Sequence, residues 1–108
     1  MKLDELQERT DCWIQGTGGG YWDQFQILAR LTEELGEVSA ALQRQEGLRP
    51  RRERVDLMGE VGDLLFTLAA FANVKEIRLQ DAVEKALSKY EARDGGAWRE
   101  QSRGESSP

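Results

Sequence analysis

Glu34 and Glu37 stand three residues apart, and so do Glu60 and Asp63. On an α-helix, side chains three apart share a face, with Cβ atoms roughly 5–6 Å from one another. Each pair can therefore close on one small, hard cation. Two such helices facing each other would gather four carboxylates, too much negative charge for an apolar bundle unless cations neutralise it. Oxygen-only donor sets select Mg²⁺, or Mn²⁺, over zinc. The chain contains no histidine. That removes imidazole as base or ligand, and with it the Glu-x-x-His pairs of di-iron bundles. Mg²⁺ takes few protein carboxylates and leaves room for waters and phosphates. It would bridge phosphate oxygens, neutralise their charge and lower the pKa of a water for in-line attack on phosphorus. In this reading Glu34, Glu37, Glu60 and Asp63 are the metal ligands. The neighbouring Glu33 could orient or deprotonate the water, so Glu33, Glu34 and Glu37 are the catalytic candidates. Lys89 and Arg93, four apart on one helical face, would hold the outgoing phosphates; the plainer role for them is a favourable interaction with their own helix C-terminus. The bland alternative for the acids is salt bridging to Arg30, Arg44 or Arg54 on a solvated face. A single Glu-x-x-Glu has little specificity, but two pairs beside apolar seams favour the metal.

The elements that must position these acids are helices. Leu3 to about Gln15 has helical texture, with Asp4 and Glu5 suited to the dipole at its start. Cys12 in it reads as a small buried filler. GTGGG at 16–20 is a breaker. It lacks the preceding strand and the Gly-Lys-Ser/Thr of a phosphate loop, so a flexible helix–helix connection is expected. The second helix runs from about Trp22 to Gln45, with Leu28, Leu31, Leu35, Val38 and Leu42 at bundle-seam spacings. Gly36 inside it is costly against alanine and would allow close approach of a neighbouring helix or ligand. EGLRPRRER, 46–54, is a linker whose arginines 49, 51, 52 and 54 are either simply solvated or form an electropositive rim for a triphosphate. The third helix spans about Glu53 to Ala72, striped by Val61, Leu64, Leu65, Leu68 and Ala72. Between Leu64 and Ala72 only Thr67 is polar. A helix apolar nearly all round must be covered on several sides, which four short helices do poorly alone. A helical dimer or tetramer is therefore expected. The fourth helix, about Leu79 to Ala92, turns Ala82, Val83, Ala86, Leu87 and Tyr90 inward. Gly95 and Gly96 stop it, Trp98 follows, and 100–108 reads as a polar, disordered tail.

Composition narrows the classes. At 108 residues the chain is a single domain over about 1–99, with net charge −5. That acidity, with a pI near 4.8, argues against nucleic-acid polymers as partners. The charged start, MKLDELQERTD, is no signal peptide, and no apolar run approaches the ~20 residues of a membrane span. One cysteine suits a reducing cytoplasm.

The stretch Glu33-Glu34-x-x-Glu37 followed by Glu60-x-x-Asp63 resembles the signature of MazG-like, all-α nucleoside triphosphate pyrophosphohydrolases. The flanks resemble the short, YpjD-like branch: Ala29-Arg-Leu-Thr-Glu-Glu-Leu-Gly-Glu, Glu60-Val-Gly-Asp-Leu-Leu-Phe, the run to Asn73, and Lys89-Tyr-x-x-Arg93-Asp94 with Trp98. The resemblance spans residues 3 to 99. It implies a four-helix bundle assembled as dimer or tetramer. It implies Mg²⁺-dependent cleavage of NTP or dNTP to NMP or dNMP and pyrophosphate, in the service of removing non-standard or surplus nucleotides. By position, Glu34, Glu37, Glu60 and Asp63 would ligate, Glu33 would be an accessory acid, and Lys89, followed by Arg93, would contact phosphate. Two family asparagines are absent: Ala70 stands seven residues after Asp63, and Leu87 and Ser88 precede Lys89. Tyr21, Trp22 and Phe25 are candidates to stack on a base, although aromatics opening a helix are commonly core. Two other readings compete. One is a catalytically silent helical interaction module with an acidic cation-binding face; the other is a metal-dependent phosphohydrolase acting on a different phosphate compound.

Overall fold

The computed structural model describes residues 1–93, so Gly95, Gly96, Trp98 and the 100–108 tail lie outside the described residues. Four helices follow one another: α1 Leu3–Gln15, α2 Gln24–Gln45, α3 Leu57–Val74 and α4 Leu79–Arg93. Among the described residues there is no strand. The fold is all-α, as the sequence predicts.

The starts of α2 and α3 fall later than the apolar pattern suggests, and capping explains both. Asp23 takes the extended backbone of an N-cap and accepts from the amides of Phe25 and Gln26, while Gln26 returns a bond to the Asp23 amide. Such a cap stabilises by about 1 kcal/mol. Asp56 likewise accepts from the amide of Gly59. Gly59 is required there, because a Cβ would fall 2.2 Å from the Asp56 carboxylate. Residues 53–56 are therefore cap and linker, not helix.

The glycine connection is built rather than loose. The amides of Gly18 and Gly20 donate to the carbonyls of Trp13 and Ile14, each at 2.8 Å. Gly19 and Gly20 hold φ of 79° and 108°, a region that side chains with a Cβ rarely enter.

α2 and α3 form the principal pair, and α1 packs on α3. The face α2 turns inward is Ile27, Glu34, Ala40 and Ala41, and α3 answers with Thr67, Ala69, Ala70 and Ala72. Small residues let the two backbones approach closely. The leucine stripe expected to form the seam is displaced outward: Leu28, Leu35 and Leu42 remain 46%, 58% and 47% exposed. The 3–4 spacing marks an apolar face, but α2 has two of them, and the one lined by small residues closes against α3. Gly36 meets open space, with nothing within 4 Å of a Cβ placed there. Cys12 is exposed, not a buried filler.

The core proper is thin: Ile14, Ile27 and Ala70, with Tyr21, Phe71 and Val74 against them. α4 buries no residue fully; of its five expected inward residues Ala86 is half-buried and the other four are exposed. It is tied down at its start. Arg78 grips both carboxylate oxygens of Asp4 at 3.0 and 2.7 Å and also reaches Asp81. Gln7 accepts from the Leu79 amide at 2.8 Å.

By length and composition α3 would suffice to cross a membrane, with mean hydropathy 1.4 over 18 residues. It carries Glu60 and Asp63, however, and an Asp at bilayer depth costs about 2.5–3.5 kcal/mol. Its alanines are spent on α1 and α2. These features fit the central helix of a bundle.

Candidate functional site

α2 and α3 bring acids from both pairs to one place. One oxygen each from Glu34, Glu60 and Asp63 lie within 4.8 Å of one another. Glu34 is 6% exposed, so its charge needs a partner. Arg30, one turn earlier on α2, supplies it through Nε at 2.9 Å. Burial raises the Glu60 carboxyl above its ordinary pKa, and the charges of Glu37, Asp63, Glu34 and Asp56 push it further in the same direction. Of these charges Glu37 acts most strongly, so it stands near Glu60 although it is not one of the three that could share an ion. Glu33 lies elsewhere: its carboxylate is 67% exposed and sits 3.6 Å from Arg30.

This donor set suits a hard divalent cation. It is all oxygen, it is partly desolvated, and its repulsion shows in Glu60. One cation would relieve that repulsion while leaving positions for phosphate oxygens. The group that could share an ion contains no cysteine.

The acids open into a cavity of about 410 Å³. Glu34, Asp63 and Arg30 are its charged lining, Trp13, Tyr21, Trp22 and Phe66 its aromatic lining, and Ile27, Thr67 and Ala70 also face it. Of the three aromatics expected to stack on a base, Tyr21 and Trp22 line the cavity. Phe25 does not, and is 72% exposed. Trp13 and Phe66 were missed. Their rings meet edge to face, centroids 5.7 Å apart. In sequence they sit among charges in α1 and within a greasy run in α3, where an aromatic reads as core. Only the fold aims them at one another.

A hydrogen-bond network fixes the Tyr21 wall. Its hydroxyl donates to Asp11 Oδ1 at 2.6 Å and accepts from Asn73 Nδ2 at 3.1 Å. Asn73 Nδ2 also donates to the Gln7 carbonyl, and Gln7 Nε2 donates to Asn73 Oδ1 and the Ile77 carbonyl. Burial first, then the Asp11 carboxylate, holds the phenol above its usual pKa. Ala70 faces the cavity, and Asn73, one turn on, spends its amide on this network.

Lys89 and Arg93 do not line the cavity. They sit near the far end of α4, where the Lys89 ammonium lies 5.1 Å from the centre of the Tyr90 ring. Of the linker arginines, Arg49 bonds Gln43 through its Nε.

Comparison with known proteins agrees with this geometry. The sequence model of the MazG nucleotide pyrophosphohydrolase domain matches residues 23–98. The protein YpjD of Bacillus subtilis (strain 168) is 32% identical over 99 residues, 89% of each chain. The crystal structure of YPJD from B. subtilis superposes with TM-score 0.74 and 31% identity, covering 83% of this chain and 95% of that one. The crystal structure of the Bacillus-conserved MazG protein, a nucleotide pyrophosphohydrolase, gives TM-score 0.73 and 29% identity, covering 87% and 94%.

Proposed function

The chain belongs to the MazG nucleotide pyrophosphohydrolase family, and from that premise we propose that it cleaves nucleoside triphosphates between the α and β phosphates with Mg²⁺. Water oxygen bonds to the α-phosphorus, the bond to the bridging oxygen breaks, and pyrophosphate departs from the nucleoside monophosphate. The observation that carries the reading is one cavity lined both by aromatic rings and by two carboxylates, Glu34 and Asp63, that cluster with Glu60. A nucleotide has the same polarity: a flat, stackable base and a polyanion that hard cations escort.

In this reading Glu34, Glu60 and Asp63, with Glu37 beside them, hold the divalent cation. When bound, that cation would neutralise phosphate charge and lower the pKa of the attacking water. The residues themselves do the rest. Arg30 pairs with the buried Glu34 carboxylate and fixes its position. Burial and the neighbouring carboxylates raise the Glu60 carboxyl, a crowding that a bound cation would relieve. The aromatic wall excludes water from the base side and fixes the nucleotide's long axis. Glu33 is at most an outer acid acting through Arg30. The uncovered faces of α2, α3 and α4 support assembly of at least two copies, and a second copy would bring its own Lys89 and Arg93 towards the departing phosphates. The setting is cytoplasmic, and the physiological task is clearance of unwanted nucleotides.

The test is a panel of NTPs and dNTPs incubated with the protein and Mg²⁺, with pyrophosphate followed by a coupled assay. Release of pyrophosphate rather than orthophosphate is expected, abolished by EDTA and restored by Mg²⁺. No release from any nucleotide would remove the proposal.

A further inference from the structure

We infer that the cavity grips a nucleobase by its faces and not by its edge, with Trp13 as the stacking residue, so that the protein favours purines over pyrimidines without telling one purine from another. This rests on the nucleotide reading above. It follows from an account of the donors and acceptors around the aromatic lining. The Tyr21 hydroxyl donates to Asp11 and accepts from Asn73. The Thr67 hydroxyl donates to the Asp63 carbonyl at 2.9 Å. Arg30 Nε is committed to Glu34. The amides of Gly18 and Gly20 point back to α1. Among the described residues, no side-chain amide lines the cavity.

Among the described residues, what remains there is ring surface, the indole N–H groups of Trp13 and Trp22, and unused acceptor lone pairs on the Tyr21 and Thr67 hydroxyls. An indole donates and never accepts, and every nucleobase carries acceptors. Two such donors therefore cannot separate adenine from guanine or hypoxanthine. Sites that reject an analogue by many orders of magnitude do so with polar groups the wrong ligand leaves unpaired. Here the hydroxyl protons of Tyr21 and Thr67 are already given to Asp11 and to the Asp63 carbonyl. Stacking tolerates every base, because each has a π-face, and differs among bases through stacking strength.

Trp13 is held for this role from two sides. Phe66 meets its ring at 83° and 5.7 Å. Gly18 closes behind it, where a Cβ would come within 2.9 Å of Trp13 Cζ3. The ring is nonetheless 53% exposed, leaving a face for a ligand.

The experiment measures binding and turnover separately on the full chain with Mg²⁺. Binding is read by tryptophan fluorescence with α,β-methylene analogues of ATP, GTP and CTP, whose scissile bridge cannot be cleaved. Turnover is read as pyrophosphate release from ATP, GTP, ITP, CTP and UTP. Purines are expected to agree within about 3-fold in kcat/KM, the spread left when no hydrogen bond reads the edge. Trp13→Ala is expected to weaken purine analogue binding by at least about 5-fold, as loss of one stacking platform does, and to erase the purine advantage. Trp13→Phe restores most of it, and Gly18→Ala weakens purine binding by displacing the indole. A merely structural Trp13 would lower the melting temperature in the alanine variant and leave the purine-to-pyrimidine ratio untouched, which overturns the inference. So does a preference above about 100-fold between two purines, the mark of edge readout. Analogue binding in the expected order without pyrophosphate release sinks the pyrophosphohydrolase reading and leaves this inference standing. Failure of every analogue to bind sinks both.

Discussion

α3 and α4 both carry apolar faces, and the molecule treats them oppositely. α3 is packed by α1 and α2, and its alanines and Thr67 are buried. α4 buries nothing, and Val83, Leu87 and Tyr90 stay 44%, 52% and 42% exposed. The difference lies in residue size and in tethering. α3 presents alanines that let two helices close on it. α4 is tied at its first turn through Arg78 and Gln7 and packs lightly on α1, leaving its larger apolar side chains about half exposed. The candidate site divides the same way: the acids belong to the α2–α3 pair, α1 and the glycine connection complete the cavity, and Lys89 and Arg93 of α4 do not line it.

The sharpest way to break this division is at the acids. Asp63→Asn keeps shape and removes charge. If the α2–α3 pair is the reaction centre, kcat/KM falls by about 10³-fold or more, the scale for losing a group that stabilises developing charge. The metal-free protein should meanwhile melt at a higher temperature, because Glu60 loses a repelling neighbour. Mg²⁺ should stabilise the wild type by mass action and the variant much less. A salt-bridged acid without metal function predicts the reverse: a lower melting temperature and little change in turnover.

The next effect concerns α4. Leu87→Asp places a charge in the exposed apolar stripe. On a solvated helix such a change is worth within about 0.5 kcal/mol and leaves the assembly as it was. If a second copy covers this face, the substitution buries an unpaired charge, so sedimentation mass drops to that of one chain. Turnover then falls with it, because Lys89 and Arg93 no longer reach a neighbouring site. An unchanged mass together with full activity would show that α4 works alone in water.

How much of this could be read in the residues alone follows the same line. The helices, their order and the acid pairs were legible, because 3–4 spacing and i,i+3 carboxylates are local signals. Which face of α2 turns inward was not. Leu28, Leu35 and Leu42 make the stronger apolar stripe, yet Ile27, Glu34 and Ala41 close on α3, since close approach favours small residues and a buried Glu34 is tolerable only beside Arg30. The Trp13–Phe66 contact joins residues 53 apart in the chain, and no periodicity predicts it. Asn73 was seen as the end of a motif and not as the hub holding Tyr21. The starts of α2 and α3 depended on Asp23 and Asp56 acting as caps, which an apolar pattern cannot see.

The smallest effects are in pH dependence, and there the two regions should carry opposite signs. Burial and neighbouring carboxylates raise Glu60, so the folded state holds that proton more tightly than the unfolded chain does. Its contribution is present at low pH and is lost as pH rises from the ordinary glutamate range through the raised folded value. Asp4 is lowered, chiefly by its hydrogen bonds from Arg78. The unfolded chain binds that proton more tightly, so its contribution is present above the ordinary aspartate range and is lost as pH falls through the depressed folded value. Melting curves in EDTA resolve the two. Glu60→Gln should raise the melting temperature at pH 7–8 and lose that advantage towards pH 4. Asp4→Asn should lower it slightly at neutral pH, exposed pairs being weak, and match the wild type once Asp4 itself is protonated. If both substitutions moved stability in the same direction at neutral pH, then either the acids of α2 and α3 are not crowded or the tether of α4 is not electrostatic. Adding Mg²⁺ decides between those outcomes, because only a crowded α2–α3 cluster would have its pH dependence flattened by the cation.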